Sequence, residues 1–404
     1  MNVKSKNASG AVPESVLERF LKTSPGLEVW WDSSPLVYPN WSEQLVAQVA
    51  PEKRDVLAAQ LKKWYDPDAP EKTLFAGVTT NPPLSLAAMK NDPPRWEAWI
   101  KNYQSKHPQA DVEEIFWELY KEIVRLGAEA FMPLFESSGY LMGYLSGQVD
   151  PRKFFDGELM LRQGLELAAQ APNVMVKIPG TREGVDVIRQ LTARGISTNC
   201  TAGYIVPQFV AVAEAVQAGL AEARANGVDL TRWRSVVTYM SARWENAPIF
   251  VEQAQRAGIT LSETDRRWAG IALFKQAYRV YREEAYPSKM LVCSVRMGPE
   301  VNGHMGCAHL EEMAGASAVF TLPPNFLGEL FTDGEDIEFE SRVWKDIPED
   351  VMQRLQKIPY FKESYEPDGM KQKDFNTIAP LVSTFNEFSG ATQKMVDFVK
   401  ERMV

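Results

Sequence analysis

Histidine and cysteine are scarce in this chain, with three of each in 404 residues. His107, His304 and His309 leave little material for histidine-based triads. Cys200, Cys293 and Cys307 are too few and too scattered for a disulfide framework, so a reduced, cytoplasmic setting is expected. No apolar run is long enough to span a bilayer, and no charged-then-apolar leader opens the chain; a membrane partner is not expected. Excess positive charge is missing too. With 53 acidic against 44 basic residues the net charge is -9, which argues against nucleic acid or an anionic lipid surface as main partner and leaves room for a local basic pocket that takes a phosphate. Neither G-x-G-x-x-G nor a P-loop occurs, which removes the usual signature of an open, nucleotide-binding doubly wound sheet.

What remains is an ordinary globular composition, 45% hydrophobic and 24% charged, arranged in a strong rhythm. Apolar runs that read as strands, "LEVWWD", "TLFAGVTTN", "GYLMGYLSGQV", "VMVKIP", "ISTNCT", "WRSVVTYMS", "KMLVCSVR" and "SAVFTLP", are nearly all separated by segments with helical period. Continuously apolar strands suit a parallel sheet buried on both faces. Eight such units predict an α/β fold of the closed (β/α)8, or TIM-barrel, type. The barrel is expected over residues 26–330, with an N-terminal extension over 1–25, helical insertions before the third strand, and a C-terminal extension over 331–404. The first dozen residues read as loose. The additions either cap the barrel mouth or join two copies into a homodimer; the sequence leaves both open.

Barrel chemistry sits at the C-terminal ends of the strands, and there the polar residues gather. In order they are Asp32, then Thr79, Thr80 and Asn81, then Ser146 and Gln148, then Lys177. Asn199 and Thr201 end the fifth strand, Thr238 and Arg243 lie at or beyond the sixth, and Ser294 and Arg296 close the seventh. A lone lysine in an apolar strand is more often a solvated edge residue. Convergence of so many polar strand ends on one rim favours the other reading, in which Lys177 faces a pocket. A desolvated amine there is a nucleophile that forms a Schiff base with a ketone. Asp32 is the carboxylate available to move the proton during carbon–carbon cleavage. Thr201 and Gln148 suit the holding of a water, and Arg243 and Arg296 offer forks that fit a phosphate. The chemistry calls for no metal and no other cofactor.

At these residues the chain resembles the transaldolase family of Schiff-base (β/α)8 enzymes. "GVTTNPPL" resembles the family's second-strand signature and "YLSGQVDPR" its third-strand motif. "VKIPGTREGVDVIRQLTARGISTNCT" is similar to its lysine segment and following strand, and "CSVR" to its second arginine site. The motifs fall in order over roughly residues 27 to 330. The resemblance implies a transferase of carbohydrate metabolism, in the pentose phosphate pathway, that moves a three-carbon dihydroxyacetone unit between sugar phosphates. It implies Lys177 as Schiff-base lysine, Asp32 as acid/base, Thr201 as water-holding hydroxyl, and Arg243 and Arg296 as phosphate ligands. Asn81, Asn199 and Thr238 would hold substrate hydroxyls, with Thr79, Ser146 and Ser294 as further candidates for substrate contacts. Two positions depart from the pattern. Gln148 stands where transaldolases carry glutamate, as it does in fructose-6-phosphate aldolase-like relatives, and Met240 replaces an aromatic residue three positions before Arg243. Both blur the line between transferring the three-carbon unit and releasing it. An aldolase-type lyase, or a transaldolase of altered substrate specificity, therefore stands beside the transferase, and a non-catalytic sugar-phosphate-binding barrel stands behind both.

Other features invite blander readings. "HMGCAH" brings His304, Cys307 and His309 close in sequence, at a spacing that matches no standard zinc pattern. Trp30, Trp31 and Trp244 read as core or pocket wall, Glu283 and Glu284 as a solvated helix end. Cys293 reads as packing, Cys200 as a possible pocket border.

Overall fold

A computed structural model describes residues 12–301 and 304–403. Its centre is a closed barrel of eight parallel strands: β1 (Glu28–Trp31), β2 (Gly77–Thr79), β3 (Tyr144–Gln148), β4 (Val174–Pro179), β5 (Thr198–Gly203), β6 (Ser235–Met240), β7 (Lys289–Cys293) and β8 (Val319–Leu322). β8 closes against β1, pairing Glu28 with Val319 and Trp31 with Leu322. Helices run between successive strands, and a short antiparallel ribbon, Glu300–Val301 with His304–Met305, follows β7. This is the (β/α)8 barrel expected from the sequence. The loose N-terminal stretch predicted over the first dozen residues falls almost wholly outside the described residues.

Local signals explain where the strands stop. β4 matches its apolar run because Pro179 and Gly180 end it and Thr181 caps the next helix, its hydroxyl accepting from the Gly184 amide at 3.0 Å. β2 is shorter than "TLFAGVTTN", because Leu74 and Phe75 spend their amides on the Lys63 and Trp64 carbonyls. β3 begins only at Tyr144. Before it, Gly139, Tyr140 and Gly143 take positive φ to turn the chain out of the helix Val112–Ser137.

Strand alternation and the cross-strand register divide side chains into two sets. Trp31, Val78, Gly147, Val176, Ile178, Val237 and Tyr239 face the helices. The other set faces the barrel axis and stacks in layers. At the floor, Glu28 holds both Arg234 and Lys289 at 2.6 Å. Above it lies the Trp30 indole. Gly77 makes room for that ring, since a Cβ there would lie 2.6 Å from it. A Gly77→Ala change should therefore force Trp30 out of place and destabilise the barrel directly under Asp32, by about 1–3 kcal/mol as overpacking does elsewhere; a denaturant midpoint equal to wild type would contradict this.

The segment after β8 wraps back over the barrel. Its last helix, Ala379–Lys400, packs against the helix Pro82–Asn91, against Val112–Ser137 and against β5. Thr384 and Glu387 of that helix reach Tyr204 and Arg243 at the C-terminal rim. Of the two roles left open for the extension, covering the mouth is the one seen in the single chain. No helix among the described residues is long and apolar enough to cross a membrane.

Candidate active site

Asp32, Thr79, Ser146, Gln148, Lys177, Asn199, Thr201 and Thr238 all belong to the inward set, at or just past the C-terminal ends of their strands. The register sets Gln148, Lys177 and Asn199 side by side on β3, β4 and β5. Lys177 is 5% exposed, and its Nζ donates to the Thr80 carbonyl at 3.1 Å rather than to a carboxylate. Burial pushes its pKa below the ordinary lysine value, against the opposing attraction of Asp32. Asp32 is pushed up by burial, opposed by Lys177, by the Thr79 hydrogen bond and by Arg243. Burial thus works against the charge on each group while each supports the charge of the other, which leaves an amine able to attack beside a carboxylate with raised affinity for a proton.

Hydrogen bonds hold the surrounding groups. Thr79 Oγ1 donates to Asp32 Oδ1 at 2.6 Å and also bonds Thr321 Oγ1 on β8. Across the barrel, Thr238 Oγ1 donates to Asn199 Oδ1 at 2.7 Å, and Asn199 Nδ2 donates to Ser146 Oγ at 2.9 Å. Asn199 is thus fixed in orientation between two hydroxyls. Gln148 differs from all of these. It is 1% exposed, and neither end of its amide meets a hydrogen-bonding partner among the described residues. Leaving such a group unmet costs about 1–3 kcal/mol, so the position suits a water or a substrate polar atom. Its backbone is anchored by the Tyr120 hydroxyl, which donates to the Gln148 carbonyl at 2.8 Å and accepts from its amide at 2.9 Å.

The remaining candidates sit around the rim. Asn81 is the N-cap of the helix Pro82–Asn91, its Oδ1 accepting from the Leu84 amide at 3.0 Å, which leaves Nδ2 for another partner. Ser294 follows β7 in a left-handed conformation, φ 62°, and its carbonyl accepts from Ala242 at 3.3 Å. That bond ties the two arginine-bearing loops together. Arg243 lies on the short helix Ser241–Glu245 directly after β6. Arg296 is exposed just past β7, its Nη1 on the Val295 carbonyl. Met240 faces inward, with the Tyr204 hydroxyl 3.2 Å from its sulfur, whereas Tyr239 points out to the Gly270 carbonyl.

Several side chains at the site had not been singled out from sequence: Thr321, Tyr120, Tyr204, Thr384 and Glu387. Thr321 carried a legible signal, as the one polar residue inside the apolar run of β8. The others lie on helices and loops whose place over the rim no local pattern records. Cys293, read as packing, also faces the site: burial pushes its thiol up to about 12, and it lies in the field of Asp32 and Lys177. Cys200 is buried on the outer face, next to Gly180, and is not a pocket border. Trp30, Trp31 and Trp244 are core. Among the described residues no three His, Cys, Asp or Glu side chains form a metal-binding group. His309 is instead buried between Glu245, at 2.6 Å, Ser241, at 2.8 Å, and the Arg296 amide, at 3.0 Å; the side chain of His304 lies outside the described residues.

A family model described as transaldolase/fructose-6-phosphate aldolase matches residues 59–376. A transaldolase of Thiobacillus denitrificans is 30% identical over 279 residues, covering 65% of this chain and 75% of that protein. One from Saccharopolyspora erythraea is 32% identical over 209 residues, covering 51% of this chain and 55% of its own length. One from an Arthrobacter species is 28% identical over 279 residues, covering 65% and 73%.

Proposed function

Because the chain belongs to the transaldolase/fructose-6-phosphate aldolase family, we propose that it moves a three-carbon dihydroxyacetone unit between sugar phosphates through a Schiff base on Lys177. The observation that carries this is the buried, inward Lys177 amine, bonded to a carbonyl and facing Asp32. The amine adds to the ketose carbonyl, and loss of water from the carbinolamine gives the iminium. Asp32 then takes the proton of the substrate hydroxyl beyond the scissile bond. The carbon–carbon bonding pair flows into the iminium to leave an enamine, and an aldehyde departs. Addition of the enamine to a second aldehyde reverses these steps and completes transfer; hydrolysis of the protonated enamine releases dihydroxyacetone instead. Asn199, held by Thr238 and Ser146, and the free amide of Asn81 are suited to grip the donor hydroxyls, with Thr79 and Ser294 alongside. Gln148 and Thr201 are suited to hold the water that leaves and returns. Three buried, unpaired cysteines are in keeping with a cytoplasmic location. The direct test is the rate of transfer to an aldose phosphate acceptor set against the rate of dihydroxyacetone release without acceptor. Transfer faster than release supports the transferase; release unaffected by acceptor favours the lyase.

The lyase reading is favoured by Gln148, which orients a water without exchanging protons with it. Gln148→Glu adds a titrating group in a buried place beside the amine, where its pKa is raised by burial and lowered by any positive iminium. The ratio of transfer to release, measured across pH, should shift in this variant. Gln148→Ala should slow turnover by about tenfold to a hundredfold while ketose trapping stays detectable. Identical pH profiles in all three proteins would remove Gln148 from the water's site.

Arg296 is read as a phosphate ligand. Its exposure lets it swing toward an arriving anion, and a hydrogen bond to a charged group contributes about 1.5–3 kcal/mol. Arg296→Ala should accordingly raise KM for a phosphorylated ketose about tenfold to a hundredfold and leave the unphosphorylated ketose nearly unaffected. Equal losses for both would mean that Arg296 does not bind the phosphate.

A further inference from the structure

Arg243 does not present an empty fork. Glu387, from the C-terminal helix Ala379–Lys400, places its two carboxylate oxygens 2.6 and 2.8 Å from Nη1 and Nη2 of Arg243. Thr384, one turn earlier, accepts from the same Nη1 at 3.4 Å and meets the Tyr204 hydroxyl at 2.5 Å. The Phe388 ring lies under the guanidinium at 5.6 Å. A planar guanidinium grips a two-oxygen edge, and a carboxylate and a phosphate offer the same edge. Only one of them can occupy the fork. Glu387 also offsets the charge of Arg243, and Arg296 has no carboxylate partner among the described residues.

We propose that Glu387 is a specificity-determining residue, an internal anion that competes with the substrate's phosphate for Arg243 and so weakens selection for phosphorylated over unphosphorylated sugars. The proposal rests on the reading of Arg243 as a phosphate ligand. The geometry suits a displaceable group. The side chain of Glu387 is 51% exposed and that of Arg243 27%, so the pair is partly solvated and screened. The half-exposed carboxylate can swing into solvent, and an incoming phosphate then takes its place on the less exposed Arg243. A bidentate pair at the barrel mouth also links the seat of the C-terminal helix to occupancy of the phosphate end: as the anion enters, that helix loses one of its ties to the rim and keeps the bond between Thr384 and Tyr204.

The test compares the wild type with Glu387→Gln, Glu387→Ala and Arg243→Ala. The measurements are KM for a phosphorylated ketose, KM for the same ketose without phosphate, and inhibition by inorganic phosphate. Glu387→Gln and Glu387→Ala should both lower the phosphorylated KM and the inhibition constant of inorganic phosphate, by about fivefold to tenfold, as removal of a competing like charge does. The unphosphorylated KM should move less than about twofold. Arg243→Ala should raise the phosphorylated KM. If Arg243→Ala raises it while the Glu387 variants leave it unchanged or raise it too, Glu387 positions the arginine and competition is refuted. If Arg243→Ala does not change it, the assignment of Arg243 as phosphate ligand fails, and the proposal with it.

Discussion

Lys177→Arg should leave no measurable turnover, a loss of at least about 10⁴-fold. Arginine keeps a positive charge and much of the length, but its guanidinium is not deprotonated in proteins and cannot add to a carbonyl. The substitution therefore separates the nucleophile from its charge and its bulk. The pocket tolerates it poorly on other grounds, since Lys177 is buried and its amine sits against the Thr80 carbonyl. Thermal unfolding of the variant should be measured beside its kinetics. A folded Lys177→Arg protein with more than a trace of activity would contradict the assignment.

The second large effect is expected at Asp32. Asp32→Asn keeps the shape and the hydrogen bond from Thr79, and removes the group that moves the proton. Turnover should fall about 10²–10⁴-fold, the usual range for a positioned acid or base. Trapping of the ketose should persist, because the amine is intact. Its pH dependence carries a sign that can be worked out. Asp32 attracts the Lys177 ammonium and so raises its pKa, against the larger effect of burial. Removing that charge should lower the Lys177 pKa further, and the midpoint of trapping against pH should move to lower pH than in wild type. A midpoint that moves upward would mean that Asp32 does not face the amine.

Much of this site could be read from the chain because strands impose a period of two and barrels place chemistry at one end. Ser146 and Gln148, or Asn199 and Thr201, are two residues apart and necessarily share a face; Asp32 follows Trp30 and Glu28 on the same face of β1. Once eight strands were counted, their polar C-terminal residues had one place to meet. The stop at Pro179-Gly180 and the cap at Thr181 are local and were legible to the residue. Signals that depend on distant chain were not. The apolar run extends the expected second strand over Leu74 and Phe75, which the barrel does not include, since which carbonyls take those amides depends on where the helix Pro51–Trp64 packs. The Thr79–Thr321 bond joins residues 242 positions apart, and the Arg243–Glu387 pair spans 144. Glu387 lies in an amphipathic helix whose sequence shows only that one face is apolar. That this helix crosses the barrel mouth is a property of packing. The unmet amide of Gln148 was likewise invisible, because a sequence records that a residue is polar and not whether its partners arrive.

A Schiff-base enzyme must form a covalent bond between its substrate and one lysine side chain. Incubation of the wild-type protein with a ketose phosphate and borohydride, followed by proteolysis and mass spectrometry of the peptides, reads that bond directly. A reduced three-carbon adduct is expected on the peptide containing Lys177, absent when ketose is omitted and absent in Lys177→Arg. An adduct mapped to another lysine, or none at all in active protein, would contradict it.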